Sequence, residues 1–242
     1  MIKLDNFSSF FVANWKLNGN FQFIDQFMSE ISLPQDKSKC VVICPTSIHL
    51  DYMSKMKTGF YLGAQNVSQH EDGSFTGEIS AASLSDLNIN FCIVGHSERR
   101  QFFFEKNEEI NLKSVKLINN HLIPIICIGE TLEEKEKGIT NDILEQQLKK
   151  SIPSLSNFEN TIIAYEPVWA IGTGLTPTNE EISDTHKFIR EHDAKFNKFK
   201  IIYGGSVKSN NAKEITSLLN VDGTLIGGAS LKSDEFTKII QD

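Results

Sequence analysis

The stretch Thr161-Ile162-Ile163-Ala164-Tyr165-Glu166-Pro167-Val168-Trp169-Ala170-Ile171-Gly172-Thr173-Gly174 joins an apolar run, one carboxylate at its end, and a segment bounded by proline and glycine. A β-branched and aromatic run without alternation is the pattern of a strand buried on both faces, as in a parallel sheet covered by helices. Glu166 then falls at the C-terminal end of that strand, where parallel barrels place their chemistry. Pro167 restricts the backbone of Glu166 and stiffens one hinge, while Gly172 and Gly174 open backbone angles closed to other residues at the other. Between the hinges, Val168, Trp169, Ala170 and Ile171 supply an apolar cover that would exclude water when closed. The stretch reads as a base beneath a lid.

Outward from this stretch, short apolar runs recur eight times, at residues 10–13, 40–44, 60–64, 91–94, 123–128, 161–165, 200–203 and 224–226. Each is followed by a segment that can be helical. Phe23, Phe27 and Ile31 lie four apart, and Ile143, Leu144, Leu148 and Ile152 form a helical stripe, as do Ile182, His186 and Ile189. Residues 133–137 read as a short solvated helical turn. Eight β/α units in 242 residues, with no linker or repeat, predict a closed eightfold (β/α)8 barrel as a single domain over 1–242, since such barrels need about 250 residues.

The residues that carry chemistry fall at the ends of these runs. Asn14 and Lys16 follow the first, His96 and Glu98 the fourth, Glu166 the sixth, Gly204-Gly205-Ser206 the seventh and Gly227-Gly228 the eighth. In a parallel barrel those ends share one face, so residues far apart in sequence converge on one pocket. A carboxylate at a strand end can reach two adjacent carbons through its two oxygens, as proton transfer between them requires. His96 and Lys16 fit the need for donors where negative charge develops on oxygen. Ser97 reads as the cap of the helix after His96, so the helix dipole should favour a neutral ring. Lys16 has Glu98 as its expected partner, and Glu166 reads as the one strand-end carboxylate under a lid. Glycine pairs offer amides to a phosphate without a Cβ in the way, with Ser206 and Gly172 as further donors.

Asn14-Trp15-Lys16-Leu17-Asn18-Gly19, Val94-Gly95-His96-Ser97-Glu98-Arg99-Arg100, the Glu166 lid, Tyr203-Gly204-Gly205-Ser206-Val207 and Ile226-Gly227-Gly228-Ala229-Ser230-Leu231 occur in that order. With them the chain closely resembles the triosephosphate isomerase family over about residues 11–231. The resemblance implies the TIM barrel fold, the cofactor-free interconversion of dihydroxyacetone phosphate and glyceraldehyde 3-phosphate, and a homodimer. It makes Glu166 the base, His96 a neutral electrophile, Glu98 a supporting catalytic residue, and Asn14 and Lys16 substrate contacts. It also sends the loop Gly73-Ser74-Phe75-Thr76-Gly77-Glu78 into a partner subunit, with Thr76 and Leu17 at the interface.

Hydrophobic residues make up 40% and charged residues 23%, the balance of a globular enzyme rather than a disordered chain. The net charge of -7, with no long basic run, argues against nucleic acid or an anionic membrane as partner, so an anionic substrate must find local positive groups. The longest apolar runs, such as residues 122–128, fall far short of the roughly 20 needed to span a bilayer. The first residues lack the apolar stretch of a secretion signal, and the cytoplasm is the expected compartment. Cys40, Cys44, Cys92 and Cys127 sit in or beside apolar runs, without metal spacing, and are expected to be buried free thiols. No metal or cofactor is expected.

Two departures from the family pattern stand out. Phe104 occupies a position where the family usually has glycine, which puts its local packing in question, and the connection from His186 to Lys200 is shorter than in many relatives. Two rival readings share the fold: a Schiff-base aldolase using Lys16 as nucleophile, and a catalytically silent phosphate-binding barrel.

Overall fold

The computed structural model describes residues 2–56, 59–171 and 175–241. Eight parallel strands close into a barrel in sequence order, β1 (Ser9–Asn14), β2 (Lys39–Cys44), β3 (Tyr61–Ala64), β4 (Phe91–Val94), β5 (Ile123–Ile128), β6 (Ile162–Tyr165), β7 (Lys200–Tyr203) and β8 (Gly223–Ile226). Closure is direct: Phe10 pairs with Gly223 and Ala13 with Ile226, while the opposite edge of β1 runs in register with β2 from Ser9–Lys39 to Asn14–Cys44.

Both faces of each strand are apolar because each meets a different layer. Phe10, Val12, Val42, Phe91, Ile93, Ile125, Ile162 and Ile202 form one cluster that fills the barrel. Their neighbours Phe11, Ala13, Ile43, Val94, Ile126, Ile163 and Ile201 pack in a second cluster with helix residues such as Ile24, Phe27, Leu144 and Ile189. Inside/outside alternation between two apolar layers keeps the strand middles apolar on both faces, with Ser9, Asn14, Lys39 and Lys200 at strand ends and Thr224 as a buried exception. All four cysteines are free and buried among these residues.

The helices follow the stripes in the sequence. The main ones are α1 (Phe21–Glu30), α2 (Leu50–Ser54), α3 (Ala81–Asp86), α4 (Ser97–Phe102), α5 (Asn107–Asn119), α6 (Leu132–Glu136), α7 (Thr140–Ser151), α8 (Asn179–Glu191), α9 (Ala212–Thr216) and α10 (Ser233–Gln241). Asn20 caps α1 by accepting from the Phe23 amide at 2.8 Å, and Thr178 with Glu181 forms a reciprocal capping box at the start of α8. Ile31 and Ile152 cap the C-terminal ends of their stripes rather than extending them. The short link before β7 is a 3-10 turn at Ala194–Lys198, on the barrel end away from the strand termini that carry the site.

Phe104 takes up a backbone conformation that favours glycine. Its φ is 56°, in the left-handed region, and its ring is 79% exposed. The next residue, Glu105, turns inward against Lys113 and Arg99.

Candidate active site

Asn14, Lys16, His96, Glu166, Gly204, Gly205, Ser206, Gly227 and Gly228 all line one cavity of about 620 Å³ at the C-terminal ends of the strands. Residues separated by as much as the whole barrel in sequence meet there because eight parallel strands end on one face. Gly172 belongs to the expected set but lies outside the described residues, as do Thr173 and Gly174.

The turn after β1 presents Lys16. Asn14, 5% exposed, accepts from the Lys16 amide at 3.0 Å, and Gln65 donates to the Lys16 carbonyl at 2.9 Å. Held from both sides, Lys16 adopts φ 52°, a left-handed backbone that a non-glycine residue takes only when its surroundings impose it. Its ammonium ends 2.6 Å from Oε1 of Glu98. Gln65 was not legible in the sequence, where it is one amide after an apolar run.

The turn after β4 presents His96, and here the cap differs from expectation. His96 itself, not Ser97, caps α4, its Nδ1 accepting from the Glu98 amide at 3.2 Å. A ring nitrogen that accepts carries no proton, so the neutral ring has its hydrogen on Nε2. Nε2 lies 3.0 Å from Oε1 of Glu166. Burial disfavours a charged ring, but the Glu166 carboxylate outweighs it and raises the pKa of His96 in this arrangement. The upward pull belongs to the carboxylate; the helix amide on Nδ1 works against it.

Glu166 is 2% exposed. Burial opposes its charge, yet the histidine, the Ser97 amide at 3.1 Å and Lys16 more than offset this, so its pKa lies below the usual carboxylate value. Its side chain has room because β7 ends in glycine: a Cβ on Gly204 would come within 2.7 Å of Cγ of Glu166. A Cβ on Gly227 would likewise press on Cε of Lys16 at 3.3 Å. Both glycine pairs thus clear space for the side chains of Glu166 and Lys16. Ser206 donates its hydroxyl to the Ala170 carbonyl at 3.1 Å, joining the β7 loop to the loop after β6.

That loop opens with a 3-10 turn, Val168–Ala170, anchored by a residue the sequence reading missed. Glu130, after β5, is 2% exposed and accepts from Nε1 of Trp169 at 2.8 Å and from the Tyr165 hydroxyl at 3.3 Å. Glu166 is therefore not the only strand-end carboxylate under this loop. Burial raises the pKa of Glu130, whereas the shift of Glu166 is downward, so two neighbouring carboxylates are tuned in opposite directions.

Leu17, 94% exposed, and the likewise exposed Thr76 stand outside this cavity. A second cavity of about 680 Å³ reaches Asn14, Lys16 and His96 from the other side, lined by Leu17, Phe102 and Phe103.

A closed parallel eightfold barrel with a buried carboxylate, a capping histidine and a paired lysine gathered over glycine-ended strands is the layout of a (β/α)8-barrel enzyme. The triosephosphate isomerase family profile matches residues 9–242, and the chain belongs to that family. It is 44% identical over 239 residues to a triosephosphate isomerase of Francisella tularensis subsp. mediasiatica (strain FSC147), covering 95% of this chain and 94% of the relative. The corresponding proteins of Francisella tularensis subsp. tularensis (strain SCHU S4 / Schu 4) and subsp. novicida (strain U112) are 43% and 42% identical over the same spans.

Proposed function

We propose that the chain, as one barrel domain over residues 1–242, interconverts dihydroxyacetone phosphate and D-glyceraldehyde 3-phosphate through an enediolate. The observation that carries this reading is the meeting of Lys16, His96 and Glu166 in one cavity with both glycine pairs. Glu166 is the base. It takes a proton from one carbon and returns it to the neighbour, and no redox or metal chemistry is required of it.

In the resting arrangement both oxygens of Glu166 are occupied, one by the Ser97 amide and one by His96. Substrate entry gives the Nε2 proton of His96 a new acceptor, the oxygen on which charge will develop. Glu166 then loses a partner that held its pKa down and becomes a stronger base where the carbon arrives. His96 loses the carboxylate that raised its own pKa and stays neutral. Lys16 adds a second donor, held by Glu98, and Asn14 fixes its turn. The amides of Gly227 and Gly228, with Ser206 and Gly172, take the phosphate, which explains how a chain of charge -7 accepts an anion.

The ion pair with Glu98 uses Lys16 as a cation, which favours an oxyanion donor over the Schiff-base nucleophile of an aldolase. The decisive test is the conversion of glyceraldehyde 3-phosphate by purified protein, with Glu166→Gln as control. Fast conversion abolished in the control is the expected result. A folded protein that binds 2-phosphoglycolate without converting substrate would instead establish the silent barrel.

The same reading makes the protein a cytoplasmic homodimer. No helix among the described residues is long and apolar enough to cross a membrane. The cavity beside Leu17 opens directly behind Lys16, and the Thr76 loop of a second copy would close it. Sedimentation should give a dimer, and a fully active monomer would refute this.

A further inference from the structure

Past the ends of β5 and β6 the ladder between them continues: Ile128 accepts from the Glu166 amide at 2.7 Å, and Glu130 accepts from the Val168 amide at 3.0 Å. Gly129 lies between these two and, by the alternation of a parallel ladder, turns its own N–H and C=O to the opposite side, toward β4. That strand has already ended at Val94, where the chain leaves for His96 and α4. Two buried backbone groups would stand unpaired there. Gln147, on α7 in the outer layer, supplies both partners with one side chain: its Oε1 accepts from the Gly129 amide at 2.7 Å, and its Nε2 donates to the Gly129 carbonyl at 3.0 Å. Gln147 is only 8% exposed.

Gly129 in turn lies flat against the base. A Cβ there would fall 1.7 Å from the Glu166 carbonyl oxygen and 2.6 Å from its carbon, so the two peptides are in contact with no side chain between them. Any slack in the Gly129 peptide becomes slack in the backbone that carries Glu166. We infer that Gln147 is a positioning residue for Glu166, acting through a two-point amide clamp on Gly129. The inference rests on the reading of Glu166 as the base.

Gln147→Met keeps the length and apolar stem of the side chain while removing both hydrogen bonds. Gln147→Glu restores both if its carboxyl is protonated, a state favoured by burial and by the facing Gly129 carbonyl. With glyceraldehyde 3-phosphate, Gln147→Met should lose about 10-fold to 100-fold in kcat, the scale of a base displaced by a fraction of an ångström to 1 Å. KM and inhibition by inorganic phosphate should stay within about twofold, because the phosphate site is built on β7 and β8. Gln147→Glu should recover most of the turnover at neutral pH and lose it at alkaline pH, with an added ionisation absent from the wild-type profile. A Gln147→Met enzyme with wild-type kcat overturns the inference. So does a Gln147→Glu profile that superimposes on the wild type, a test that holds even if the methionine variant does not fold. Full activity in Glu166→Gln would overturn the base assignment itself, whereas an inactive Glu166→Gln beside a fully active Gln147→Met overturns the clamp alone.

Discussion

Nε1 of Trp169 donates to Oε1 of Glu130 at 2.8 Å, so the loop after β6 is moored to the end of β5. The ammonium of Lys135 sits 3.5 Å above the same indole and is itself paired with Glu181 at the start of α8. The start of the loop after β6 is thus held by residues from just past β5, from α6 and from α8.

Replacing Glu130 by leucine removes the acceptor of the Trp169 N–H and the Tyr165 hydroxyl in a buried setting. The expected loss is about 1–3 kcal/mol of stability, read as a lower urea midpoint, together with a change in Trp169 emission. Glu130→Gln, which keeps one acceptor and sheds a charge that burial disfavours, should cost less. Equal midpoints for all three proteins would show that the mooring is not stabilising.

Glu166→Asp shortens the side chain proposed as base by one methylene and leaves the glycine pairs after β7 and β8 in place. Turnover should fall by about 100-fold with KM nearly unchanged, measured in steady state in both directions. A loss confined to KM would mean that Glu166 holds the substrate rather than moves its proton.

Deleting residues 171–173 should alter the product as well as the rate. An enediolate phosphate open to water can expel phosphate, so the ratio of methylglyoxal to isomerised product should rise. An unchanged ratio would separate the lid from protection of the intermediate.

His186 is wholly buried behind β6 and β7, and burial drives its pKa down to about 3, against about 6.5 in an unfolded chain. Between those values the unfolded state binds a proton that the folded state refuses. Stability therefore rises with pH across this window and is lost as pH falls from about 6.5 toward 3. Glu130, with its raised pKa, acts in the opposite sense at acid pH, and comparison with His186→Gln subtracts it. The melting temperature of the wild type should drop more steeply from pH 7 to pH 5 than that of the variant; parallel slopes would refute the assignment.

The strands were legible to within about a residue because each faces two apolar layers and is apolar through its middle. The helices were legible from stripes such as Ile182, His186 and Ile189. Strand-end residues followed once the strands were placed, since a parallel barrel gathers those ends. What escaped is set by contacts distant in sequence. Glu130 looks like part of a solvated turn, and only the packing of Tyr165 and Trp169 over it makes it a buried anchor. Gln147 sits among Glu145, Gln146 and Lys149 as if on a wet face, and its meaning comes from a peptide on another element. The capping role of His96 was missed because serine is the commoner cap and an imidazole nitrogen can serve the same purpose.

The four cysteines give the molecule a built-in clock. Cys40, Cys44, Cys92 and Cys127 all lie in barrel strands, and burial pushes every one of their thiols above the usual value. None can meet a disulfide reagent such as Ellman's until the strands part. The rate at which colour develops in native buffer thus times the opening of the barrel itself, with no label added and no residue changed.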